Sequence, residues 1–329
     1  MPFIAQEKSG HHFGIGSRIV TSEQEQRTVD AEKILKGDCI EILADLPSES
    51  VHAIVSDIPY GIGLDDWDVL HSNTNSAYGG ESPAQRVAGA VFKKRGKPIN
   101  GWSGADKRIP LEYYEWCMKW VPECLRILKP GGSIFIFAGR RFSHRCISAL
   151  EDSGFNFRDL VGWTRNRAAH RAQRLSVVYE RRGDMINARR WEGWRVGNLR
   201  PIFEPIIWAF KPYKVGGTIA DNALLHGVGA YNHDAVESYF GQPDNIFHCP
   251  IGTHDKGLHE AQKPVKLIEA LIEISTLQGH VVLDPFAGSG TTGLAARNTE
   301  RDFILIEKSE VHVATINSRL NAPHQPNII

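Results

Sequence analysis

The feature that most constrains the fold of this chain is a glycine-rich turn. Residues Gly288–Gly293 read Gly-Ser-Gly-Thr-Thr-Gly and satisfy the pattern G-x-G-x-x-G. The apolar run 281–283 precedes the turn, a helical pattern follows it, and Glu307 ends the next apolar run. Such a turn lets the backbone approach a ligand, and an acid at that place can accept hydrogen bonds from ribose hydroxyls. Because 36 of the 329 residues follow Gly293, we expect the N-terminal part of the chain to complete the sheet.

Short apolar segments alternate with helical patterns along much of the chain. The segments with strand character are 33–36, 51–56, 133–138, 281–283 and 303–306. Apolar runs of this length, separated by helices, predict an α/β fold with an open, mostly parallel sheet and helices on both faces. Ligands of such sheets bind at the carboxyl ends of the strands. The glycine turn lies at such an end, where a ligand-free turn, a dinucleotide such as NAD and S-adenosylmethionine all remain open.

A second unusual motif, Asp57-Ile58-Pro59-Tyr60, follows the apolar run 51–56. A β-turn with a structural proline would account for it. The residue types also suit a flipped-out base, because Asp57 and the Ile58 carbonyl can accept hydrogen bonds from an exocyclic amino group. The ring of Tyr60 can stack on the base plane. The catalytic candidates are therefore Asp57, Ile58, Pro59 and Tyr60.

Charge is balanced over the whole chain but unevenly distributed along it. Lysine and arginine total 38, as do aspartate and glutamate, and this balance by itself argues against a nucleic-acid partner. Residues 158–200 nevertheless hold 11 arginines, no lysine and four acids, a net charge of +7, with Trp163, Tyr179, Trp191 and Trp194 interleaved. Arginine pairs bidentately with phosphate and guanine, so the segment suits duplex DNA, although a solvated basic surface has the same composition.

The predicted DNA contacts come from this segment and from a basic run in the long polar loop 61–110. They are Arg165, Arg167, Arg171, Arg174, Arg181, Arg182, Arg189 and Arg190, together with Lys93, Lys94 and Arg95. A loop of this length without periodicity is usually functional or disordered. We expect it to form a lid beside the flipped base, with a plain surface loop as the alternative.

Several classes of protein are disfavoured by the sequence. The chain has no apolar stretch of the length that a transmembrane helix needs and no secretory signal pattern at its N-terminus. Its five cysteines are scattered and form no C-x-x-C, which favours reduced thiols over a disulfide or metal framework. We expect a cytoplasmic protein without a metal site.

Several motifs, taken in order, resemble those of the amino-group DNA methyltransferases, which methylate adenine N6 or cytosine N4. Asp57–Tyr60 resembles the catalytic tetrapeptide Asp/Asn/Ser-Pro-Pro-Tyr/Phe/Trp, and Phe286–Gly290 resembles the cofactor motif Phe-x-Gly-x-Gly. The segment His259–Pro264 resembles a His-x-x-Gln-Lys-Pro element, and Gly37–Cys39 and Leu128–Gly132 resemble two further family segments. The order, with the catalytic motif first, resembles the β class of the family.

The resemblance implies the Rossmann-like fold of S-adenosylmethionine-dependent methyltransferases, with a circularly permuted order of motifs. It implies Glu307 on the ribose, Asp38 on the adenine amino group and Lys263 near the methionine carboxylate of S-adenosylmethionine. The complete set of cofactor-binding candidates is Asp38, Cys39, Lys263, Asp284, Pro285, Phe286, Ala287, Gly288, Ser289, Gly290, Thr291, Thr292 and Glu307. One departure is Ile58, where the family usually has proline, since isoleucine carries the same carbonyl but lacks the fixed φ of proline.

The resemblance also implies how the chain is divided. An N-terminal arm covers 1–32, and the catalytic half covers 33–154, including loop 61–110. A target-recognition region, which we predict to be irregular, covers 155–255, and the cofactor-binding half covers 256–329.

These observations favour transfer of a methyl group to N6 of a flipped-out adenine in double-stranded DNA, because Tyr60 matches the adenine-specific variants of the tetrapeptide. Cytosine N4 is the alternative within the family. From other classes, an NAD-dependent oxidoreductase would explain the glycine turn, and an inactive DNA-binding module would explain the arginines. A homodimer and a cognate restriction endonuclease are candidate partners, and a nucleoid-associated location in a bacterial, archaeal or phage setting is expected.

Overall fold

An eight-stranded, mostly parallel sheet organises the part of the chain that the structure describes. The computed structural model describes residues 32–60, 104–165, 172–197, 199–250 and 262–321. The strands of the large sheet are β1 (Lys33–Lys36), β2 (Val51–Asp57), β3 (Leu128–Phe137), β4 (Asn156–Thr164), β7 (Phe203–Phe210), β8 (Ile246–His248), β9 (Val281–Asp284) and β10 (Asp302–Glu307). Two short strands, β5 (Gln173–Arg174) and β6 (Arg195–Val196), form a separate ribbon.

The strand order shows how the two ends of the chain share one sheet. The order is β1-β10-β9-β2-β3-β7-β4-β8, so the late strands β9 and β10 lie between the early strands β1 and β2. Neighbours pair in parallel except where β7 lies antiparallel between β3 and β4. The predicted α/β fold and its permuted order are confirmed. Because β7 runs in the opposite direction, its first residues lie at the same edge as the carboxyl ends of the parallel strands.

The helices connect the strands and cover the sheet. They are α1 (Cys39–Asp45), α2 (Gly104–Ile127), α3 (Gly139–Asp152), α4 (Leu175–Arg181), α5 (Met185–Arg190), α6 (Ile219–His226), α7 (His233–Phe240), α8 (Val265–Glu273), α9 (Thr291–Asn298) and α10 (Glu310–Asn321). In α2, the spacing of Tyr113, Cys117, Trp120 and Cys124 places them on one helical face, and all four are fully buried. The apolar runs of the sequence therefore become buried strands and one-sided helices.

The main core lies between the central strands of the sheet and the helices α8, α9 and α10. Phe135 and Phe137 of β3 pack in one cluster with Leu267 and Leu271 of α8 and with Ile316 of α10. Strand β3 is apolar at consecutive positions because both of its faces are covered, as expected for a central parallel strand. This packing fixes the positions of the strands whose ends carry the predicted motifs.

The structure corrects the prediction that 155–255 is irregular. Strands β4, β7 and β8 lie inside this range and belong to the large sheet, and α6 and α7 lie there as well. The apolar stretch in Phe203–Phe210 is only eight residues long and contains a proline and a glutamate, so its local pattern was a weak strand signal. The ribbon β5–β6 and helices α4 and α5 are the part of the range that stands apart from the sheet.

Two predicted boundaries are also wrong. Helix α2 begins at Gly104, inside the predicted loop 61–110, while 61–103 lie outside the described residues. The strand predicted at 133–138 begins earlier, because the segment Leu128–Gly132 is already part of β3, where Gly131 adopts a φ of +81°. Glycine supplies that backbone conformation within a strand at little steric cost.

Features of other protein classes are missing from the described ranges. No helix there is both long and apolar enough to cross a bilayer. Among the same residues, no group of three or more His, Cys, Asp or Glu side chains could hold a metal ion. All five cysteines fall within these ranges, and each is a buried free thiol.

Candidate active site

Four polar motifs meet at the carboxyl edge of four neighbouring strands. In the order of the sheet, Asp38 follows β1, Glu307 ends β10, Gly288 follows β9 and Asp57 ends β2. Neighbouring strands lie about 4.8 Å apart, so the three gaps from β1 to β2 span about 14 Å. The sequence-predicted cofactor and catalytic motifs are thus aligned in one row.

The three glycines of the turn serve different purposes. A Cβ at Gly288, where φ is +51°, would meet no atom within 4 Å, so this part of the backbone is open. At Gly290 a Cβ would lie 3.0 Å from Ile316, and at Gly293 it would lie 2.6 Å from Leu305 of β10. Gly290 and Gly293 therefore allow close packing, while Gly288 leaves a surface that a ligand can approach.

Glu307 lies directly beside this open glycine. Its Oε2 accepts a hydrogen bond from Gly288 N–H at 2.8 Å, and its Oε1 accepts one from Ser309 N–H at 2.7 Å. Asp38 caps α1 by accepting from Ile40 N–H at 3.0 Å, and its other oxygen lies 3.0 Å from Lys308 Nζ. Backbone N–H groups therefore orient both carboxylates.

Asp284, another predicted cofactor contact, lies behind the turn. Its side chain accepts hydrogen bonds from Ser56 Oγ and Thr292 Oγ1, both at 2.6 Å, and from Phe286 N–H at 3.0 Å. The residue is 3% exposed, and this burial raises the pKa of its carboxyl to about 6. The structure therefore places Asp284 where it joins β2, β9 and α9.

The remaining candidates in and around the turn are engaged with the protein itself. The ring of Phe286 packs on Trp116 and Trp120, with centroids 5.5 and 5.4 Å away. The Arg319 guanidinium donates to Ser289 O at 3.2 Å and to Thr291 Oγ1 at 2.9 Å. Buried positions in and around the turn include Pro285, Ala287, Ser289, Thr291 and Thr292, and Cys39 is buried at the start of α1. The sequence did not predict Arg319, which lies on α10 and holds the turn through these hydrogen bonds.

The Asp57 motif is held in place by β3, α2 and α3. Ile58 is 1% exposed, and its N–H donates to Phe137 O at 3.2 Å, a hydrogen bond that proline could not make. The Tyr113 hydroxyl donates to Pro59 O at 3.0 Å. A Cβ at Gly139 would lie 3.0 Å from the Tyr60 ring, so this glycine makes room for the ring. Packing and a sheet hydrogen bond thus replace the rigidity that a second proline would give.

The Asp57 carboxyl belongs to a buried cluster of charged groups. Lys263 Nζ donates to Asp57 Oδ2 at 2.6 Å, and the Tyr60 hydroxyl lies 2.6 Å from Asp57 Oδ1 and 2.7 Å from Glu204 Oε1. Arg165 pairs with Glu204 Oε2 at 3.2 Å, and Lys263 Nζ lies 3.2 Å from Glu204 Oε1. Burial raises the pKa of Asp57 to about 6, although Lys263 partly offsets this. The five groups form the charge cluster of the site: Asp57, Tyr60, Arg165, Glu204 and Lys263.

Three members of the charge cluster have protein partners that the sequence did not predict. Lys263, expected beside the cofactor, has its ammonium against Asp57 in this structure. Arg165, expected on DNA, pairs with Glu204, and its guanidinium carbon lies 4.8 Å from the Trp163 ring centroid. Glu204 was missed, because the strand that carries it to this edge was not predicted.

Apart from Arg165, the predicted DNA-binding residues fall into two groups, one exposed and one outside the described residues. Within α4, α5 and the ribbon, the exposed arginines are Arg174, Arg181, Arg182, Arg189, Arg190 and Arg195. Trp194 is exposed there too, but Trp163 is a core residue whose indole donates to Cys249 O at 2.8 Å. Outside the described residues lie Lys93, Lys94, Arg95, Arg167 and Arg171. The first part of the His259–Pro264 element, residues 259–261, also lies outside them.

The fold is Rossmann-like, with a mostly parallel sheet. Its site combines an open glycine turn, an acid beside that turn and a buried carboxyl on the next strand, as in enzymes that bind a nucleotide-like cofactor. The family model described as DNA methylase, of the N6/N4 type, matches residues 51–318. The chain is 54% identical over 281 residues to the type II methyltransferase M.HindIII of Haemophilus influenzae strain Rd, covering 84% of this chain and 91% of that protein. The chain therefore belongs to the N6/N4 DNA methylase family.

Other similar proteins include one relative of lower sequence identity and two solved structures that share the fold. The chain is 26% identical over 299 residues to the type II methyltransferase M.HinfI of Haemophilus influenzae, covering 87% of this chain and 67% of that protein. The PvuII DNA methyltransferase, described as cytosine-N4-specific, superposes with a TM-score of 0.57 at 17% identity, covering 92% of this chain and 89% of that chain. A putative DNA modification methylase from Thermus thermophilus, complexed with S-adenosyl-L-methionine, gives a TM-score of 0.53 at 18% identity, covering 88% and 92%. These structures share the Rossmann-like fold.

Proposed function

We propose that this protein transfers a methyl group from S-adenosylmethionine to the exocyclic N6 of an adenine that is flipped out of duplex DNA. The observation that carries the proposal is the adjacency of two strand ends. Strands β2 and β9 pair directly, so the Asp57 motif and the open glycine turn lie side by side. A base and a methyl donor held by these two motifs would be neighbours, as a direct transfer requires.

The residues around the turn fit S-adenosylmethionine. Gly288 offers an open backbone, Glu307 offers a carboxylate for ribose hydroxyls, and Asp38 lies one strand further along for the adenine amino group. When bound, this cofactor supplies a methyl group activated by attachment to a sulfonium. We assign Gly288, Glu307 and Asp38 to direct contact, and Asp284, Thr291, Thr292 and Phe286 to holding the turn.

Gly288→Ala is expected to weaken cofactor binding at least about tenfold, because the added methyl group occupies the open face of the turn. It also strains a left-handed backbone, at a cost of about 1–2 kcal/mol. Calorimetric titration with S-adenosylmethionine measures the affinity, and urea unfolding measures the strain. Gly279→Ala is the matched control, since Gly279 has φ +75° and equally open surroundings but precedes β9 at the other end of the strand. Equal affinities for the two variants would contradict the assignment of Gly288.

The Asp57 motif has the chemistry to activate an amino group. The lone pair of the adenine N6 is delocalised into the ring, which makes the nitrogen a weak nucleophile. Hydrogen bonds from the amino group to the ionised Asp57 carboxylate and to the Ile58 carbonyl would favour a lone pair localised on nitrogen. Asp57 is also placed to accept the proton that the nitrogen loses on methylation.

Adenine is favoured over cytosine by the tyrosine of the motif. The family resemblance associates Tyr60 with the adenine-specific tetrapeptides, and tryptophan with the cytosine-specific Ser-Pro-Pro-Trp pattern. Incubation with S-adenosylmethionine carrying a labelled methyl group and duplex DNA, followed by digestion to nucleosides, tests the proposal. N6-methyladenine is the expected product. N4-methylcytosine would show that cytosine and not adenine is the substrate. The absence of labelled nucleoside would contradict methyl transfer.

The DNA-facing surface is proposed to be the module formed by α4, α5 and the β5–β6 ribbon. Its residues 172–197 hold six arginines against three acids, a net charge of +3, and all six arginines are exposed. Trp191 and Trp194 lie edge to face in the same module, 5.4 Å apart. Exposed arginine beside aromatic rings suits phosphate contact and base stacking.

Further partners follow from the relatives. M.HindIII and M.HinfI are named type II methyltransferases, so we propose a cognate restriction endonuclease of the same recognition sequence as a partner. The resemblance to the β class is the basis on which we also propose a homodimer. We also propose that the protein acts beside the DNA of the cell, in the cytoplasm, because its proposed substrate is DNA. Sedimentation of the free protein tests the homodimer.

A further inference from the structure

The Tyr60 hydroxyl lies between two carboxyl groups. Its oxygen is 2.6 Å from Asp57 Oδ1 and 2.7 Å from Glu204 Oε1, and it accepts a hydrogen bond from Lys263 Nζ at 2.8 Å. Both oxygen–oxygen distances are short, as in hydrogen bonds between a hydroxyl and a charged oxygen. A tyrosine hydroxyl has a single proton to donate, so it can serve one carboxylate and not both.

The two short contacts therefore need a second proton, and the geometry indicates where it resides. Glu204 faces two cations, with Lys263 and Arg165 each 3.2 Å away, whereas Asp57 pairs with Lys263 alone. The carboxyl with fewer cations holds a proton more readily. The second proton accordingly belongs on Asp57, which donates to Tyr60, while Tyr60 donates to Glu204. The pKa directions agree: burial raises that of Asp57 to about 6, whereas Lys263, the Tyr60 hydroxyl and Arg165 outweigh burial and lower that of Glu204.

We propose that Glu204 is a positioning residue whose carboxylate, acting through the Tyr60 hydroxyl and the Lys263 ammonium, sets whether Asp57 holds a proton in the free enzyme. The inference rests on the proposed function only in assigning Asp57 to the amino group. A protonated Asp57 carries no negative charge and cannot take up the proton that the amino nitrogen loses, so the enzyme must lose this proton before methyl transfer. Methyl transfer then rises with pH as Asp57 ionises.

The surroundings of Asp57 limit which groups can produce this effect. Tyr60 faces it from its own turn, Glu204 from β7, Lys263 from the segment before α8, and Asp284 from the end of β9. Arg165, at the end of β4, acts behind Glu204. Glu204 and Lys263 have opposite charges and both touch the same hydroxyl, so their removal should move Asp57 in opposite directions.

The experiment compares Glu204→Gln with Lys263→Met. Glu204→Gln removes an anion and should lower the titration midpoint of Asp57. Lys263→Met removes a cation and should raise that midpoint, and each shift should be about one pH unit or more. The readout is the carboxyl signal of Asp57 in free protein labelled with ¹³C-aspartate, assigned by its loss in Asp57→Asn. The acid limb of kcat/KM against pH, which reports the free enzyme, should move in the same directions. Glu204→Asp keeps the charge and should retain the wild-type titration midpoint more closely than Glu204→Gln.

Opposite shifts in the two variants support the proposal. Unmoved midpoints, or shifts in one common direction, overturn it, because a merely structural role lowers kcat without moving Asp57. Glu204→Gln alone decides the matter if Lys263→Met does not fold. The titration needs no DNA and no cofactor, so it can support this inference even if the labelled nucleoside is not N6-methyladenine, and the two proposals can fail separately.

Discussion

Asp57→Asn is expected to lose methyl transfer by at least about 10²–10³-fold while still binding the cofactor. The amide keeps the size of the side chain but removes the negative charge that would accept the amino hydrogen and later the proton. One of its two polar ends also becomes a donor, which faces the Lys263 ammonium or the Tyr60 hydroxyl. The effect should therefore appear in kcat.

The measurement is single-turnover transfer of labelled methyl to duplex DNA, together with calorimetric titration of S-adenosylmethionine. Asp45→Asn is the control, because Asp45 is an exposed carboxylate at the end of α1, away from the strand ends. The control should match the wild type in both measurements. Near-normal turnover in Asp57→Asn would remove Asp57 from the chemistry, and with it the mechanism proposed above.

The sequence predicted those parts of the site that are local along the chain. The glycine turn, Glu307 and the Asp57 motif each combine a strand with the residues directly after it, so their place at the carboxyl edge follows from the α/β pattern. The permuted strand order followed from the late position of the turn. Even Ile58, which breaks the family pattern, could be interpreted, since only its carbonyl enters the proposed chemistry.

The parts that the sequence did not predict depend on contacts between distant segments. Glu204 reaches Asp57 because β7 inserts antiparallel between β3 and β4, a pairing that no local pattern specifies. Arg319 reaches the glycine turn from α10, 28 residues beyond Thr291. Lys263 was predicted as a site residue, but its partner was not, because charge partners in a buried cluster are set by the packed strands and not by spacing.

Asp284→Ala is expected to lower the free energy of unfolding by about 2–5 kcal/mol, because it leaves Ser56, Thr292 and the Phe286 N–H without their buried acceptor. Asp284→Asn should be milder. Its amide retains one acceptor, and the Thr292 hydroxyl can turn toward Val55 O, 3.4 Å away. Urea unfolding of both variants beside the wild type measures the difference.

The pH dependence of the free energy of unfolding, compared between the wild type and Asp284→Asn, gives a further check on the Asp284 carboxyl. The pKa of Asp284 is raised to about 6 in the folded protein from an ordinary value of 3.8, so its protonated form contributes stability below about pH 4 that is lost as the pH rises through 6. The side chain in Asp284→Asn does not titrate, so this variant does not lose that stability. Its free energy of unfolding relative to the wild type should therefore improve between pH 4 and pH 7. If instead Asp284→Ala unfolds like the wild type and only its affinity for S-adenosylmethionine falls, Asp284 contacts the cofactor directly, as the motif alone had suggested, and does not act by joining β2, β9 and α9.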